Sequence, residues 1–153
     1  MPDIQGKASA SGLRFAIVAS RFNSEITDLL VSGSVQALKE SGCDDGHIAI
    51  IRVPGAFEIP LAVLHAAKSQ RYDAIVAIGC VIRGETPHFD FISQEASHGI
   101  ALASFQTGIP VGFGLLTVNT DEQAIARSKP DSTNKGFEAA MAAVEMANLL
   151  NQF

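Results

Sequence analysis

What most constrains the fold of this chain is a two-part rhythm repeated four times along its 153 residues. Each repeat is a short, nearly unbroken apolar run followed by a segment with apolar residues at helical spacing. The first run is Leu13-Arg14-Phe15-Ala16-Ile17-Val18-Ala19. A strand with one face in water alternates apolar and polar residues, so an unbroken run reads as a strand covered on both faces. After Ser20-Arg21-Phe22-Asn23 the period changes. Ile26, Leu29, Leu30, Gly33, Ala37 and Leu38 recur at steps of three and four, and Gly42 supplies a stop. Strands that alternate with helices imply a parallel sheet with right-handed crossovers and helices on both faces.

The other three repeats follow the same grammar. Residues 48–53 read as a strand, then Pro54-Gly55-Ala56-Phe57-Glu58 leads to a helix opening near Pro60, with Val63, Leu64 and Ala67 inside. Residues 74–80 form the third expected strand. A longer loop through His88 leads to a helix carrying Ile92, Ala96, Ile100 and Ala103 up to Gly108. Residues 111–118 form the fourth strand, which passes through Asn119-Thr120 into a short helix from Asp121 to Arg127. Pro130 interrupts that helix, and a last helix from about Asn134 carries Phe137, Ala140, Met141, Val144, Ala147 and Leu150 as one apolar stripe. Residues 1–12 are small and polar and are expected to form an N-terminal arm, leaving 13–153 as a single α/β domain.

Composition narrows the function. Hydrophobic residues make up 47% and charged ones 18%, and the mean hydropathy of +0.22 is high for a soluble monomer. Buried aliphatic strands account for this, as does an extensive subunit interface. A net charge of −5 provides no field for nucleic acid or for an anionic membrane. A phosphorylated ligand would therefore be held by locally placed donors. Cys43 and Cys80 lie far apart without a C-x-x-C, so neither a disulfide framework nor a zinc site is expected. No apolar run approaches the roughly 18 residues of a membrane span, and the N-terminus lacks a secretory apolar region. A cytoplasmic location is the expectation. The sequence also lacks a G-x-G-x-x-G after the first strand, a Walker A loop, a G-x-S-x-G elbow and an H-E-x-x-H pair.

In open parallel sheets ligands sit beyond the carboxyl ends of the strands, where strand order reverses. Here the loops at that edge hold Phe22-Asn23, Ala56-Phe57-Glu58, the run from Cys80 to His88, and Asn119-Thr120. An aromatic, a carboxylate, a glycine turn with a hydroxyl and an imidazole suit a polar ring compound together with a small anion.

Those same loops carry a family resemblance. Val53-Pro-Gly-Ala-Phe-Glu-Ile-Pro60 resembles the segment after the second strand of lumazine synthases. Gly79-Cys-Val-Ile-Arg-Gly-Glu-Thr-Pro-His-Phe-Asp90 resembles their signature G-x-x-I-[RK]-G-x-T-x-H-[FY]-[DE]. Gly114-Leu-Leu-Thr-Val-Asn-Thr-Asp-Glu-Gln-Ala124, Arg127, Asn134-Lys-Gly136 and Val144-Glu-Met-Ala-Asn148 continue the match in order, over nearly all of residues 12–150. The resemblance implies a flavodoxin-like three-layer α/β/α sandwich with a four-stranded parallel sheet, assembled as a homopentamer or as an assembly of pentamers. It implies active sites between neighbouring subunits that condense two small-molecule substrates, 5-amino-6-ribitylaminouracil and 3,4-dihydroxy-2-butanone 4-phosphate. The products are 6,7-dimethyl-8-ribityllumazine, phosphate and water, and neither a metal nor an organic cofactor takes part. Riboflavin synthase is the partner protein it brings into view.

The resemblance also assigns roles. His88 is the catalytic residue: imidazole donates and accepts protons near neutral pH, although alone it would read as a polar residue at a helix start. Arg127 is the phosphate clamp, with Glu85 (through its backbone) and Thr86 lining the phosphate turn. The bland reading of Arg127 is a cation at a helix C-terminus. Phe22 and Phe113 contact the pyrimidine, Phe113 from the adjacent subunit; ordinary packing is their alternative. Glu58, with Ala56 and Phe57, holds the ribityl chain, although an acid near a helix N-terminus is unremarkable. Cys80, Val81 and Ile82 contribute backbone groups and an apolar wall, with Cys80 excluded as a nucleophile. Asn23 and Lys135 are secondary contacts, and His47, His65 and His98 fit no site.

The chain departs from the family between Arg127 and Lys135, where Ser128-Lys129-Pro130-Asp131-Ser132-Thr133-Asn134 replaces the glycine-containing G-T-K-x-G-N linker of many sixty-subunit capsids. That leaves capsid assembly open and bears less on pentamers. Three other activities compete: an archaeal-type riboflavin synthase, a flavin-binding paralogue or assembly shell, and a flavodoxin-like electron carrier. The Phe22, Glu58 and His88 set argues against the first, and the absence of a Ser/Thr-rich phosphate loop after the first strand argues against the last.

Overall fold

A computed structural model describes all 153 residues. Four strands, β1 (Phe15–Ser20), β2 (Ile48–Val53), β3 (Ala74–Ile82) and β4 (Val111–Val118), form one sheet in the order β2-β1-β3-β4, every pair parallel. Helices α1 (Ser24–Glu40), α2 (Ile59–Lys68), α3 (His88–Thr107), α4 (Asp121–Ala126) and α5 (Lys135–Leu150) connect and close it. The period of two along β1 sorts its residues between the layers. Phe15, Ile17 and Ala19 join the core under α1 and α5, whereas Ala16 and Val18 join that under α2 and α3. All six residues of β1 are buried, as an unbroken apolar run requires. This is the three-layer α/β/α sandwich that the repeats imply.

Several boundaries differ from the sequence expectation, and the first strand begins at Phe15 rather than Leu13, with the exposed Arg14 giving its N–H to the Asp73 carboxylate. The third strand runs two residues further, because Val81 and Ile82 pair with Thr117 and Val118 at the end of β4. Ahead of α2, Ala56–Glu58 form a 3₁₀ turn that pattern alone leaves as loop. Residues 1–12 carry no helix or strand, yet they are fastened to α5. Asn148 Nδ2 donates to the carbonyls of Lys7 and Ser9 at 2.9 and 2.8 Å. Ala10 is fully buried, and its N–H donates to Ser41 O.

From β1 the chain first goes to one neighbour, β2, and later to the other, β3, so strand order reverses between β1 and β3. Asn23 marks that point. It adopts the left-handed conformation (φ 58°, ψ 45°) that asparagine tolerates better than most residues, and its Nδ2 donates to Cys80 O at 2.8 Å across the gap. β2 and β4 each have one free edge. Ile50 on the first and Phe113 on the second are about half exposed, at 47% and 51%.

The N-terminus of α5 is locked by one side chain. Asn134 is buried, and its Oδ1 accepts from the N–H groups of Gly136 and Phe137 at 2.8 and 3.1 Å. Its Nδ2 donates to Leu29 O on α1 at 3.1 Å and to Lys129 O in the linker at 3.0 Å. Gly136 permits this crossing, since a Cβ there would lie 2.0 Å from Leu30 O. Asn134→Ala removes a helix cap and strands buried backbone groups, at a cost of about 3 kcal/mol in urea unfolding. Asn134→Ser keeps a capping oxygen, loses both donated bonds and falls between. Equal stabilities for the wild type and the alanine variant would refute the lock.

Candidate active site

The carboxyl ends of β1, β2 and β3 surround a cavity of about 650 Å³, within the range of small-molecule sites. Phe22 enters from the loop after β1, and Ala56, Phe57 and Glu58 from the 3₁₀ turn after β2. Cys80, Val81 and Ile82 form the wall where β3 ends, and Thr86 and His88 close it from the turn into α3. Phe22 and Phe57 are 71% and 59% exposed, an aromatic rim with nothing packed on its outer side. Glu85 is exposed at the tip of the turn, outside the cavity lining.

Local structure explains these placements. Thr86 Oγ1 accepts from His88 N–H at 3.4 Å, and Asp90 N–H donates to Pro87 O, which turns the chain so that His88 is the first residue of α3. Pro87 suits this place, because the first turn of a helix leaves its N–H groups unpaired anyway. The bland description of His88, a polar residue at a helix start, is therefore true of its position. Its imidazole nevertheless borders the cavity and hydrogen-bonds to no group of the chain. Glu58 precedes α2 without capping it through its side chain, which leaves the carboxylate free to accept.

Three remaining residues lie elsewhere. Phe113, Arg127 and Lys135 line a second depression of about 250 Å³ beside β4. Arg127 Nη1 donates to Gln123 O at 3.1 Å, so the guanidinium satisfies the end of its own helix, α4. Lys135 Nζ pairs with Glu138 at 2.7 Å on an exposed face. The structure thus brings together Phe22, Glu58, Thr86 and His88, and separately Phe113, Arg127 and Lys135. Neither depression contains both sets.

Sequence reasoning missed several wall residues. Pro54, Gly55 and Gly84 line the larger cavity through the turns they form, and Phe89 and Ile92 from the first turns of α3. Ile92 reads as core in the sequence. Its spacing of four from His88 was the available signal, since residues at i and i+4 share a helix face.

Cys80 is 2% exposed at the pocket wall, and burial, with a smaller contribution from the charge of Asp121, pushes its thiol up from 9.0 to about 11. A thiol held protonated is a poor nucleophile. The folded state keeps its proton where the unfolded chain has lost it, so this group's stabilisation is complete below pH 9 and fades as pH rises towards 11. Denaturant midpoints should accordingly fall between pH 9 and 11, and by less in Cys80→Ala; identical slopes would exclude the effect. No group of three or more His, Cys, Asp or Glu side chains converges to hold a metal. No helix is long and apolar enough to cross a membrane.

Comparison with known proteins decides the family. A family model described as 6,7-dimethyl-8-ribityllumazine synthase matches residues 12–151. The chain belongs to the 6,7-dimethyl-8-ribityllumazine synthase family. Curated relatives carrying that same name agree over almost their whole length. One from Nitratidesulfovibrio vulgaris (strain DP4) is 51% identical over 149 residues, covering 97% of this chain and 96% of its own. Another, from Desulfatibacillum aliphaticivorans, is 53% identical over 150 residues, covering 98% and 97%. Membership makes the chain an enzyme, a transferase of riboflavin biosynthesis. Most of the segments that carry the resemblance build the two depressions; residues 144–148, in α5, line neither.

Proposed function

We propose that the chain condenses 5-amino-6-ribitylaminouracil with 3,4-dihydroxy-2-butanone 4-phosphate in pockets completed by a neighbouring copy. The observation that carries this reading is the division of the candidate residues between two depressions of one chain. An interface that joins the larger depression of one copy to the smaller depression of the next unites Phe22, Glu58 and His88 with Phe113, Arg127 and Lys135. Such a contact is head-to-tail, and it closes into a ring when the rotation permits. A homopentamer, alone or within a larger assembly, is the ring this reading assigns. Two free, buried cysteines suit a reducing cytoplasm.

Each residue type fits one task. The pyrimidine stacks on the exposed ring of Phe22 and meets Phe113 from the neighbour. Glu58 accepts hydrogen bonds from ribityl hydroxyls, and the backbone at Cys80, Val81 and Ile82 edges the heterocycle. The phosphate is gripped by Arg127, assisted by Lys135, the Thr86 hydroxyl and backbone N–H groups at Glu85 and the start of α3. His88 moves protons while the amine condenses with the ketone and one water leaves, phosphate is eliminated, and the ribitylamino nitrogen attacks the remaining carbonyl to close the second ring with loss of a second water. Arg127 keeps its bond to Gln123 O and still has N–H donors to offer the phosphate, since a guanidinium carries five of them.

The direct test mixes both substrates with the protein and follows lumazine absorbance and phosphate release together. Acceleration of both over the spontaneous condensation is expected. A rate no faster than buffer overturns the proposal, and riboflavin formed from lumazine alone would favour the archaeal-type dismutation instead.

A further inference from the structure

We propose that Arg83 is a positioning residue that ties the turn carrying His88 to the helix carrying Arg127 within a single chain. The inference rests on the catalytic reading above, which gives Arg83 no task. Arg83 is the first residue after β3. Its N–H donates to Val118 O at 2.9 Å and so extends the β3–β4 pairing by one residue. Its side chain then makes three contacts in different directions. Nε donates to Asn119 Oδ1 at 2.9 Å, Nη1 lies 3.4 Å from Asp90 Oδ1, and the guanidinium stands 4.3 Å from the ring centre of Phe89. Phe89 and Asp90 are the two residues that follow His88 in α3.

The contacts continue on the far side. Asn119 N–H donates to Gln123 Oε1 at 2.8 Å, and Gln123 N–H donates to Thr120 Oγ1 at 3.2 Å, which together fix the first turn of α4. Arg127 Nη1 donates to Gln123 O at 3.1 Å. An unbroken series of contacts therefore runs from the start of α3 through Arg83, Asn119 and Gln123 to Arg127. Within the turn itself the side-chain hydrogen bond is the one from His88 N–H to Thr86 Oγ1, and Gly84 and Glu85 are exposed. Arg83 is thus the side chain that anchors the base of this turn to the rest of the sheet edge.

Charge alone does not explain the arrangement. Arg83 and Asp90 are 45% and 52% exposed, and an ion pair so open to water contributes little. The planar fork matters more: one face covers Phe89 while the edge donates in two directions. Because the two depressions face different neighbours in a ring, the same series links one pocket to the next.

The test compares wild type with Arg83→Met, which keeps the apolar cover over Phe89 but removes every donor, and with Arg83→Lys as the conservative rescue. Steady-state kcat and KM for the phosphate substrate, inorganic phosphate affinity by calorimetry, Tm and assembly state are measured on each. Arg83→Met is expected to lower kcat about tenfold through the displaced His88 turn, and to weaken inorganic phosphate about threefold, with the assembly intact. Arg83→Lys should recover most of both. A variant that loses Tm or assembly but keeps wild-type kcat, KM and phosphate affinity per assembled ring overturns the proposal. If wild type binds phosphate yet turns nothing over, the catalytic reading fails while phosphate affinity still decides the role of Arg83. If wild type does neither, both fall.

Discussion

Truncating His88 to alanine lowers turnover by about 10²-fold and leaves the protein as stable as before. The size follows from what the imidazole does and what survives it. A positioned acid–base group contributes about 10²–10⁴-fold, and the lower end applies because amine and ketone also condense unaided and the emptied pocket still aligns them. The unchanged stability follows from the position. His88 is exposed at the first residue of α3 and its ring bonds to nothing in the chain, so its loss creates neither a cavity nor an unpaired buried group. Stopped-flow absorbance at saturating concentrations of both substrates separates the proton-transfer role from a binding one. A wild-type kcat in His88→Ala removes the imidazole from the mechanism.

Mixing two impaired variants restores activity at substrate concentrations below the raised KM, and this second result speaks directly to how the pocket is built. Arg127→Ala removes the charged donor for phosphate and is expected to raise KM for the phosphate substrate by about 10²-fold, as losing a charge-assisted hydrogen bond does. Rings assembled from equal amounts of His88→Ala and Arg127→Ala chains contain four kinds of neighbouring pair. In one of them the two intact residues face the same pocket, so roughly a quarter of wild-type activity returns if chains mix at random. Co-expression with two affinity tags, followed by tandem purification, yields the mixed assemblies. Activity no higher than that of the separate variants, in rings shown to contain both chains, would mean that His88 and Arg127 do not act in one pocket across a subunit boundary.

The sequence discloses the elements of this fold well because its signals are local. The apolar residues from Phe15 to Ala19 have no place except a strand covered on both sides, and β1 is buried along its whole length, although Leu13 and Arg14 fall outside it. Asn134 and Gly136 mark the start of α5 by type, since asparagine caps and glycine allows close approach. That Asn134 also reaches back to Leu29 on α1 depends on a crossing of two helices about a hundred residues apart, which no periodicity encodes. The sequence pattern ends β3 two residues early for a similar reason. Val81 and Ile82 extend the strand because β4 is there to pair with them. At the site, residue types were legible and groupings were not. The resemblance alone assigns Phe113 to an adjacent subunit; nothing local in the sequence shows that one chain sets Phe113, Arg127 and Lys135 beside a cavity of their own, apart from His88. Arg83 was invisible as anything but a motif letter, because its meaning lies in Asn119 and Asp90, contributed by two other elements.

The two open flanks of the sheet carry a consequence for the life of a newly made chain. β2 and β4 each present unpaired backbone groups beside exposed side chains such as Ile50 and Phe113, with no proline or lysine along either edge and only Arg52, itself paired to Asp28, as a charge to discourage pairing. A solitary protomer is thus a template on both sides, as ready to add an extended stranger as a proper neighbour. If the proposed ring covers these edges, a new chain is safest when it meets its own kind quickly, and dilution rather than heat becomes the condition that most exposes this fold to misassembly.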